Sequence, residues 1–269
     1  MAKVFSGFFL TLCCACAALP QKKVLDEKSF RTSLQEQFAE RRSLSADTVL
    51  RLKTPENNIQ QNGSVVLSQS GQMRLDIRGP HGGVLLVLVV DGNNISFLDL
   101  HGGRYVESTM GNQQITQVFP FLPLLSLGQQ WGELLLGNIQ PAKGAKFQAL
   151  ESGQGLWIWE EMNQVSKVVK ADSGAHIWTQ EKERLEHHLQ AETQGQKILS
   201  YRVFSKGDEL LKIDYEKWRS DGFVGEMKIV LPRRDTILDL SFRDVQKNLD
   251  FSPDIFKLKA PKGVEKEIW

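Results

Sequence analysis

Cysteine is nearly absent from this sequence of 269 residues, and its three copies, Cys13, Cys14 and Cys16, all lie close to the N-terminus. The rest of the chain therefore has no internal disulfides and no zinc site built from cysteine. An excess of one charge is also missing, because 33 basic residues stand against 32 acidic ones. Nucleic-acid-binding proteins usually carry a basic excess, so we expect no nucleic-acid partner.

Catalytic motifs are missing as well: the sequence contains no P-loop, no G-x-S-x-G motif and no complete G-x-G-x-x-G motif. His187 and His188, with Glu183 nearby, form the one cluster that resembles a metal site. Neighbouring residues of a strand point to opposite faces, so a solvated charged surface is the favoured interpretation. Trp157 and Trp159 alternate along a predicted strand, which favours a core or cavity wall. We expect a protein that is not an enzyme and that holds no metal or cofactor.

The N-terminus has the three parts of a secretory signal: a basic residue, an apolar stretch over residues 4–12, and small residues after it. That stretch is short for a stable membrane span. Ala15 before Cys16 resembles the end of a bacterial lipobox, which predicts a signal peptide over 1–16 and acylation of Cys16, with palmitate for example. Either earlier cysteine could be the modified one. Two alternatives stay open: cleavage at an A-x-A site that releases a soluble protein, and an N-terminal helix buried in the fold.

Residues 17–45 are predicted to form a tether and an amphipathic helix that runs from Gln21 to Ser45. Its apolar positions recur at a spacing of four or five residues, and they are Leu25, Phe30, Leu34 and Phe38.

From residue 46 the pattern becomes that of strands, and we expect a single domain over 46–269 built on one curved antiparallel sheet. The predicted strands are Ala46–Lys53, Gly63–Gln69, Met73–Gly79, Val84–Val90, Asn94–Asp99, Gly103–Ser108, Gly155–Glu160, Lys167–Ala171, Ala175–Thr179, Leu185–Ala191, Lys197–Phe204, Glu209–Tyr215, Gly225–Leu231 and Asp235–Phe242. Leu185–Ala191 could equally be helical. Val84–Val90 is apolar at every position, so it is either covered on both faces or lines an apolar cavity on one.

A helical lid is predicted over residues 112–139, which are rich in leucine and are interrupted by Pro120 and Pro123. Such an apolar segment must cover something apolar, and the open face of the preceding sheet is the economical choice. The candidates for an acyl-chain cavity between lid and sheet, with plain core packing as the alternative, are Leu86, Leu88, Phe97, Phe119, Leu122, Leu125, Trp131 and Leu135.

The stretch 73–139 resembles the outer-membrane lipoprotein LolB and the LolA/LolB lipoprotein-localisation superfamily. Its sequence is MRLDIRGPHGGVLLVLVVDGNNISFLDLHGGRYVES, followed by a leucine-rich segment that ends in QQWGELLLGNI. The resemblance implies a mainly β fold with helices, of the α+β class: a strongly curved antiparallel half-barrel covered by short helices. It also implies an apolar cavity for the acyl chains of lipoproteins or lipids, and a periplasmic carrier protein as a possible partner.

One loop departs from the family. LolB carries an exposed leucine that enters the membrane, whereas this loop contains Pro80, His81, Gly82, Gly83 and Val84. We therefore expect an outer-membrane lipoprotein on the periplasmic face that binds acyl chains and takes part in lipoprotein transport, without the membrane-inserting tip. The alternative is an envelope scaffold or stress-sensing lipoprotein that binds a protein partner through the same fold.

Overall fold

The computed structural model describes residues 26–109, 131–150, 153–170, 176–192 and 197–269, with the backbone alone described at 131, 163–170 and 176–181. The predicted signal peptide with Cys16 and most of the predicted lid lie outside these ranges. The strands of the described chain are β1 Ser43–Lys53, β2 Asn58–Ser68, β3 Met73–Arg78, β4 Val84–Asp91, β5 Asn94–Asp99, β6 Arg104–Thr109, β7 Lys146–Ala149, β8 Gln154–Lys170, β9 His176–Glu192, β10 Lys197–Ser205, β11 Asp208–Trp218, β12 Val224–Leu231, β13 Thr236–Lys247 and β14 Glu265–Ile268. Its α-helices are α1 Glu27–Glu40 and α2 Trp131–Leu136, and short 3-10 helices span Pro232–Arg234 and Pro253–Phe256.

Helix α1 begins where the carboxylate of Asp26 accepts a hydrogen bond of 3.1 Å from the backbone N–H of Ser29, a standard N-terminal cap. Phe30, Leu34 and Phe38 are buried on one face, as their spacing predicted. The helix is shorter than predicted, because from Ser43 onward the backbone pairs with β2 and β13 instead.

All fourteen strands belong to one sheet, in the order β14-β6-β5-β4-β3-β2-β1-β13-β12-β11-β10-β9-β8-β7. Neighbouring strands are antiparallel, as short turns require, except that β14 pairs in parallel with β6. The prediction of a wholly antiparallel sheet was wrong at this edge, and β7 and β14 were not predicted. The two edge strands, β14 and β7, do not pair with each other, so the sheet is not closed.

The contacts of α1 show that the sheet is strongly curved. Phe30 stacks on Trp157 of β8 at 4.7 Å, while the carbonyl of Phe38 accepts a hydrogen bond from Gln69, directly after β2. The two phenylalanines are separated by about 12 Å of helix. Seven strand intervals lie between β2 and β8, which would be about 34 Å on a flat sheet. The sheet therefore curls around the helix.

The hairpin of β8 and β9 corrects the strand prediction. Four separate elements were expected between Gly155 and Ala191, but β8 and β9 are each 17 residues long and pair continuously from Gln154↔Glu192 to Lys170↔His176. Backbone hydrogen bonds form this ladder whatever the side chains are, so a locally polar stretch did not end the strands.

Strand β4 is covered on both faces, the first of the two possibilities left open by its sequence. Leu88 and Val90 belong to the main core, on the face toward the helices. Val87 and Val89 belong to a second, smaller core on the other face, where the C-terminal segment packs against them through Phe256. The continuous apolar pattern therefore reflects two cores.

The helices of the described chain are few and short, with 14 residues in α1 and 6 in α2. The expected class, mainly β with a large curved and unclosed sheet, is confirmed. The expected covering of the sheet by short helices is wrong for the described ranges, where α1 lies in the curve and α2 closes only one end.

Candidate functional site

The inner, concave face of the sheet is tightly closed at the end where the helices pack. Leu34 and Phe38 of α1, with Leu44 and Leu67 that face each other across β1 and β2, are each at most 2% exposed. Helix α2 is fixed to β11, since the hydroxyl of Tyr215 donates to the carbonyl of Leu134 at 2.7 Å. Burial raises the pKa of that hydroxyl, which therefore stays protonated and able to donate.

The C-termini of the two helices are joined to each other by reciprocal hydrogen bonds. The guanidinium of Arg41 donates to the carbonyl of Gly137 at 3.2 Å, and the side-chain amide of Asn138 donates to the carbonyl of Arg41 at 3.0 Å. Desolvation lowers the pKa of Arg41 to about 10, so the group remains a cation at neutral pH. These bonds satisfy carbonyls that helix ends otherwise leave unpaired.

The opposite end of the inner face is more exposed to solvent in the described residues, and we call it the mouth. It lies where β1–β2, β3–β4, β5–β6, β10–β11 and β12–β13 turn. Leu52, Ile77 and Leu86 are only half-buried there, although they pack against the main core. Ile59 lies directly opposite Leu52 in the β1–β2 ladder, hence on the same face, and is 41% exposed. The mouth is thus an apolar surface that water reaches.

Of the predicted acyl-cavity residues whose side chains the structure describes, Leu86 alone lies at the mouth. Leu88, Phe97 and Leu135 belong to the closed main core and are at most 4% exposed. Trp131 begins α2, but its side chain lies outside the described residues, as do Phe119, Leu122 and Leu125. The mouth residues Leu52, Ile59 and Ile77 were missed, because only strand register shows that they share a face with Leu86.

The loop that departs from the family is an exposed β3–β4 turn at the mouth end. Its backbone is closed by a hydrogen bond of 2.8 Å from the N–H of Gly79 to the carbonyl of Gly83, and His81 points into solvent. Leu85 is 36% exposed and Leu100 is 46% exposed. The backbone carbonyl of Leu85 accepts a hydrogen bond from the N–H of Leu100. Two exposed leucines therefore lie together beside this turn, and the sequence, which separates them by fifteen positions, did not show it.

His187 was expected on a solvated surface, and this was wrong: its side chain is completely buried. It lies on the inner face, stacked on Trp159 with 5.1 Å between the ring centroids, and its Nδ1 is 2.7 Å from the hydroxyl of Tyr201. His188 points to the other face, where its Nε2 contacts a carboxylate oxygen of Glu186 at 2.6 Å. The opposite orientation of the two histidines was predicted correctly, and the burial of Trp157 and Trp159 is confirmed.

A separate polar pocket of about 260 Å³ lies at the C-terminal end of α1, away from the mouth. It is lined by Gln37, Glu40, Arg41, Arg42, Asp221, Gly222, Phe223, Lys247 and Asn248. Its mixed charges distinguish it from the apolar cavity that was predicted beneath residues 112–139.

Within the described ranges, no three histidine, cysteine, aspartate or glutamate side chains lie close enough together to hold a metal ion. None of the helices in that part of the chain has the length and apolar character needed to cross a membrane.

No protein-family model and no curated protein matches this sequence. Among solved structures, a DUF1329 family protein from Desulfovibrio piger aligns with a TM-score of 0.53 and 10% identity, over 86% of this chain and 96% of that one. A putative outer membrane lipoprotein-sorting protein domain from Vibrio parahaemolyticus gives a TM-score of 0.52 at 9% identity, over 86% and 97%. A LolA superfamily protein from Nitrosomonas europaea gives 0.49 at 12% identity, over 87% and 98%. The chain therefore shares its fold with the Desulfovibrio and Vibrio proteins, while the likeness to the LolA/LolB superfamily, and to LolB within it, stays a prediction.

Proposed function

We propose that this protein binds acyl chains of lipoproteins or lipids on the inner face of its sheet, at the mouth, and takes part in their localisation. The observation that carries the proposal is the change in burial along that face. Leucine and isoleucine side chains are buried at the helix end of the face and half-exposed at the other end. Contiguous apolar surface that is exposed usually marks a binding site.

The fold adds support, because one protein that shares it, from Vibrio, is described as a putative outer membrane lipoprotein-sorting protein domain. The proposal includes anchorage through acylated Cys16 on the periplasmic side of the outer membrane, and a binding rather than a catalytic role. The acyl chain replaces water at the mouth, and each methylene it buries contributes about 0.8 kcal/mol.

The experiment is binding of an environment-sensitive fluorescent acyl probe with an uncharged head group to the protein without its signal peptide. Ile59→Asp places a charge on the inner face at a position already 41% exposed, so folding is preserved while probe binding falls. Leu100→Asp is the matched control, since Leu100 is 46% exposed at the same end of the sheet but lies in a turn. Folded wild-type protein that binds no probe would refute the proposal, as would equal binding by both variants.

A further inference from the structure

A polar cluster interrupts the apolar inner face beside the mouth, on β8, β9 and β10. Trp159 stacks on His187 with an angle of 9° between the rings, and its indole N–H donates to Oε1 of Glu161 at 3.1 Å. Tyr201 completes the cluster through its hydroxyl, 2.7 Å from Nδ1 of His187. These four side chains hold one another in fixed positions.

The position of the cluster follows from strand register. Glu161 faces Leu185 across the β8–β9 ladder, and Leu185 faces Ser205, the last residue before the β10–β11 turn. That turn lies at the mouth end. Glu161 follows Trp159 by two residues in the strand and therefore lies on the same face. The Glu161 side chain is 35% exposed, so the cluster borders solvent at this residue.

The hydrogen bond to Tyr201 fixes which nitrogen of His187 carries the proton. Burial raises the pKa of Tyr201 and lowers the pKa of His187, so both groups are neutral at pH 7. Among the described residues, Nδ1 is the only acceptor for the Tyr201 hydroxyl, which therefore donates to it. A neutral imidazole that accepts at Nδ1 carries its hydrogen at Nε2.

Among the described residues, that Nε2–H donor has no hydrogen-bond partner, although the His187 side chain is fully buried. Oε2 of Glu161 lies 3.9 Å away, too far for a direct hydrogen bond. A buried donor thus faces a partly exposed acceptor across a gap, which is unusual because buried donors are normally paired. The separation of 3.9 Å is compatible with one shared oxygen that lies about 2.8 Å from each of the two atoms.

We propose that the gap between Nε2 of His187 and Oε2 of Glu161 is a subsite for a free hydroxyl group of an acylated ligand whose chain lies in the mouth. This rests on the proposed function and adds the chemistry of the ligand's polar end. A hydroxyl accepts from Nε2–H and donates to the carboxylate. An ester carbonyl accepts but cannot donate, an ammonium group donates but cannot accept, and a fatty-acid carboxylate is repelled by Glu161.

The test compares two lipids with the same acyl chain, monodecanoylglycerol, which has free hydroxyls, and methyl decanoate, which has none. Wild-type protein should bind the first about tenfold more tightly, the effect expected of two hydrogen bonds of which one involves a charged group. His187→Phe keeps the flat ring on Trp159 but removes the donor, and Glu161→Ala removes the acceptor. Both should bring the two affinities together and leave that of the methyl ester unchanged.

Glu160→Ala is the matched control, because Glu160 is on the same strand but points to the outer face, where it pairs with Arg184 at 3.3 Å. It should keep the wild-type preference. In the wild-type protein, the imidazole Nε2–H resonance of His187 should shift with monodecanoylglycerol and not with methyl decanoate. This NMR measurement decides the question even if a variant fails to fold.

Equal affinity of the wild-type protein for both lipids, or an unchanged resonance, would overturn the hydroxyl subsite and leave the proposed acyl binding intact. Failure to bind either lipid would overturn both proposals together.

Discussion

Arg41 lies over the indole of Trp218, with its guanidinium carbon 4.6 Å from the ring centroid. Arg41 ends α1, Trp218 ends β11, and the stacked guanidinium also donates to the carbonyl of Gly137 after α2. One side chain therefore joins both helices to the sheet at the closed end of the inner face.

We expect Arg41→Met to lower the free energy of unfolding by about 1–3 kcal/mol, because a buried carbonyl loses its charged donor while the volume is retained. Urea unfolding followed by tryptophan fluorescence measures this change. Arg42→Met is the control, since the Arg42 side chain is exposed and should leave stability unchanged. Equal stability of both variants and the wild type would contradict a structural role for Arg41.

Two features favour glycine at position 137, its backbone conformation and the nearby ring of Trp218, and two variants can distinguish their effects. Its φ is +68°, and an added Cβ would lie 2.7 Å from the ring of Trp218. Gly82 has a similar φ of +80° and open space around it. Gly82→Ala should therefore cost about 1 kcal/mol of backbone strain, and Gly137→Ala clearly more, because steric conflict is added. Thermal unfolding of both variants provides the measurement, and equal costs would show that the indole moves aside.

The buried His187 should make stability depend on pH. Burial lowers its pKa, with Glu161 acting in the opposite direction and His188 reinforcing the shift, whereas the unfolded chain keeps a value of about 6.5. Below that value the unfolded state binds a proton that the native state does not, so stability falls as the solution is acidified. In His187→Phe this contribution is missing, and its stability should decline less than that of the wild type from about pH 7.5 to about pH 5.5. Parallel curves would contradict the prediction.

The anchor can be tested on the full-length protein. Cys16→Ala should move the protein from the membrane fraction to the soluble fraction, because acyl chains are what hold a lipoprotein on its membrane. Cys13→Ala is the control and should remain membrane-bound. Intact mass of the wild type should show a chain that begins at Cys16 with added acyl mass, and a start at Ala18 without it would exclude the lipobox.

The exposed turn at His81 should decide how strongly this end of the sheet enters a bilayer. A leucine-sized side chain gains roughly 1.5–3 kcal/mol on burial in an apolar phase, and histidine loses most of that. In protein that lacks the anchor, His81→Leu should therefore increase binding to liposomes and insertion of a fluorescent lipoprotein, while His81→Asp behaves like the wild type. Wild-type insertion that is lost only in His81→Asp would show that histidine serves in place of the family's leucine.

Local periodicity was enough to predict several elements of this fold. The buried face of α1 and the strands β3 to β6 lie within one or two residues of their expected positions, because each depends on spacing within a short stretch and on the turn residues that bound it. The double covering of β4 was one of two possibilities that its apolar residues allowed. For the helix face and these four strands the sequence alone determined the local structure, whereas the tertiary structure decided between the two possibilities for β4.

Other features depend on residues far apart in the chain, and only the tertiary structure decided them. The parallel pairing of β14 with β6 joins segments about 160 positions apart, and no local pattern encodes it. Register places Ile59, Leu52 and Leu86 on one face, and curvature decides which end of that face remains open. The charged residues around His187 predicted a surface position. Its side chain is buried because it lies on the inner face of the long hairpin, in contact with Trp159 and Tyr201. Burial is set by what packs across a sheet, and that information lies in distant strands rather than in neighbouring residues.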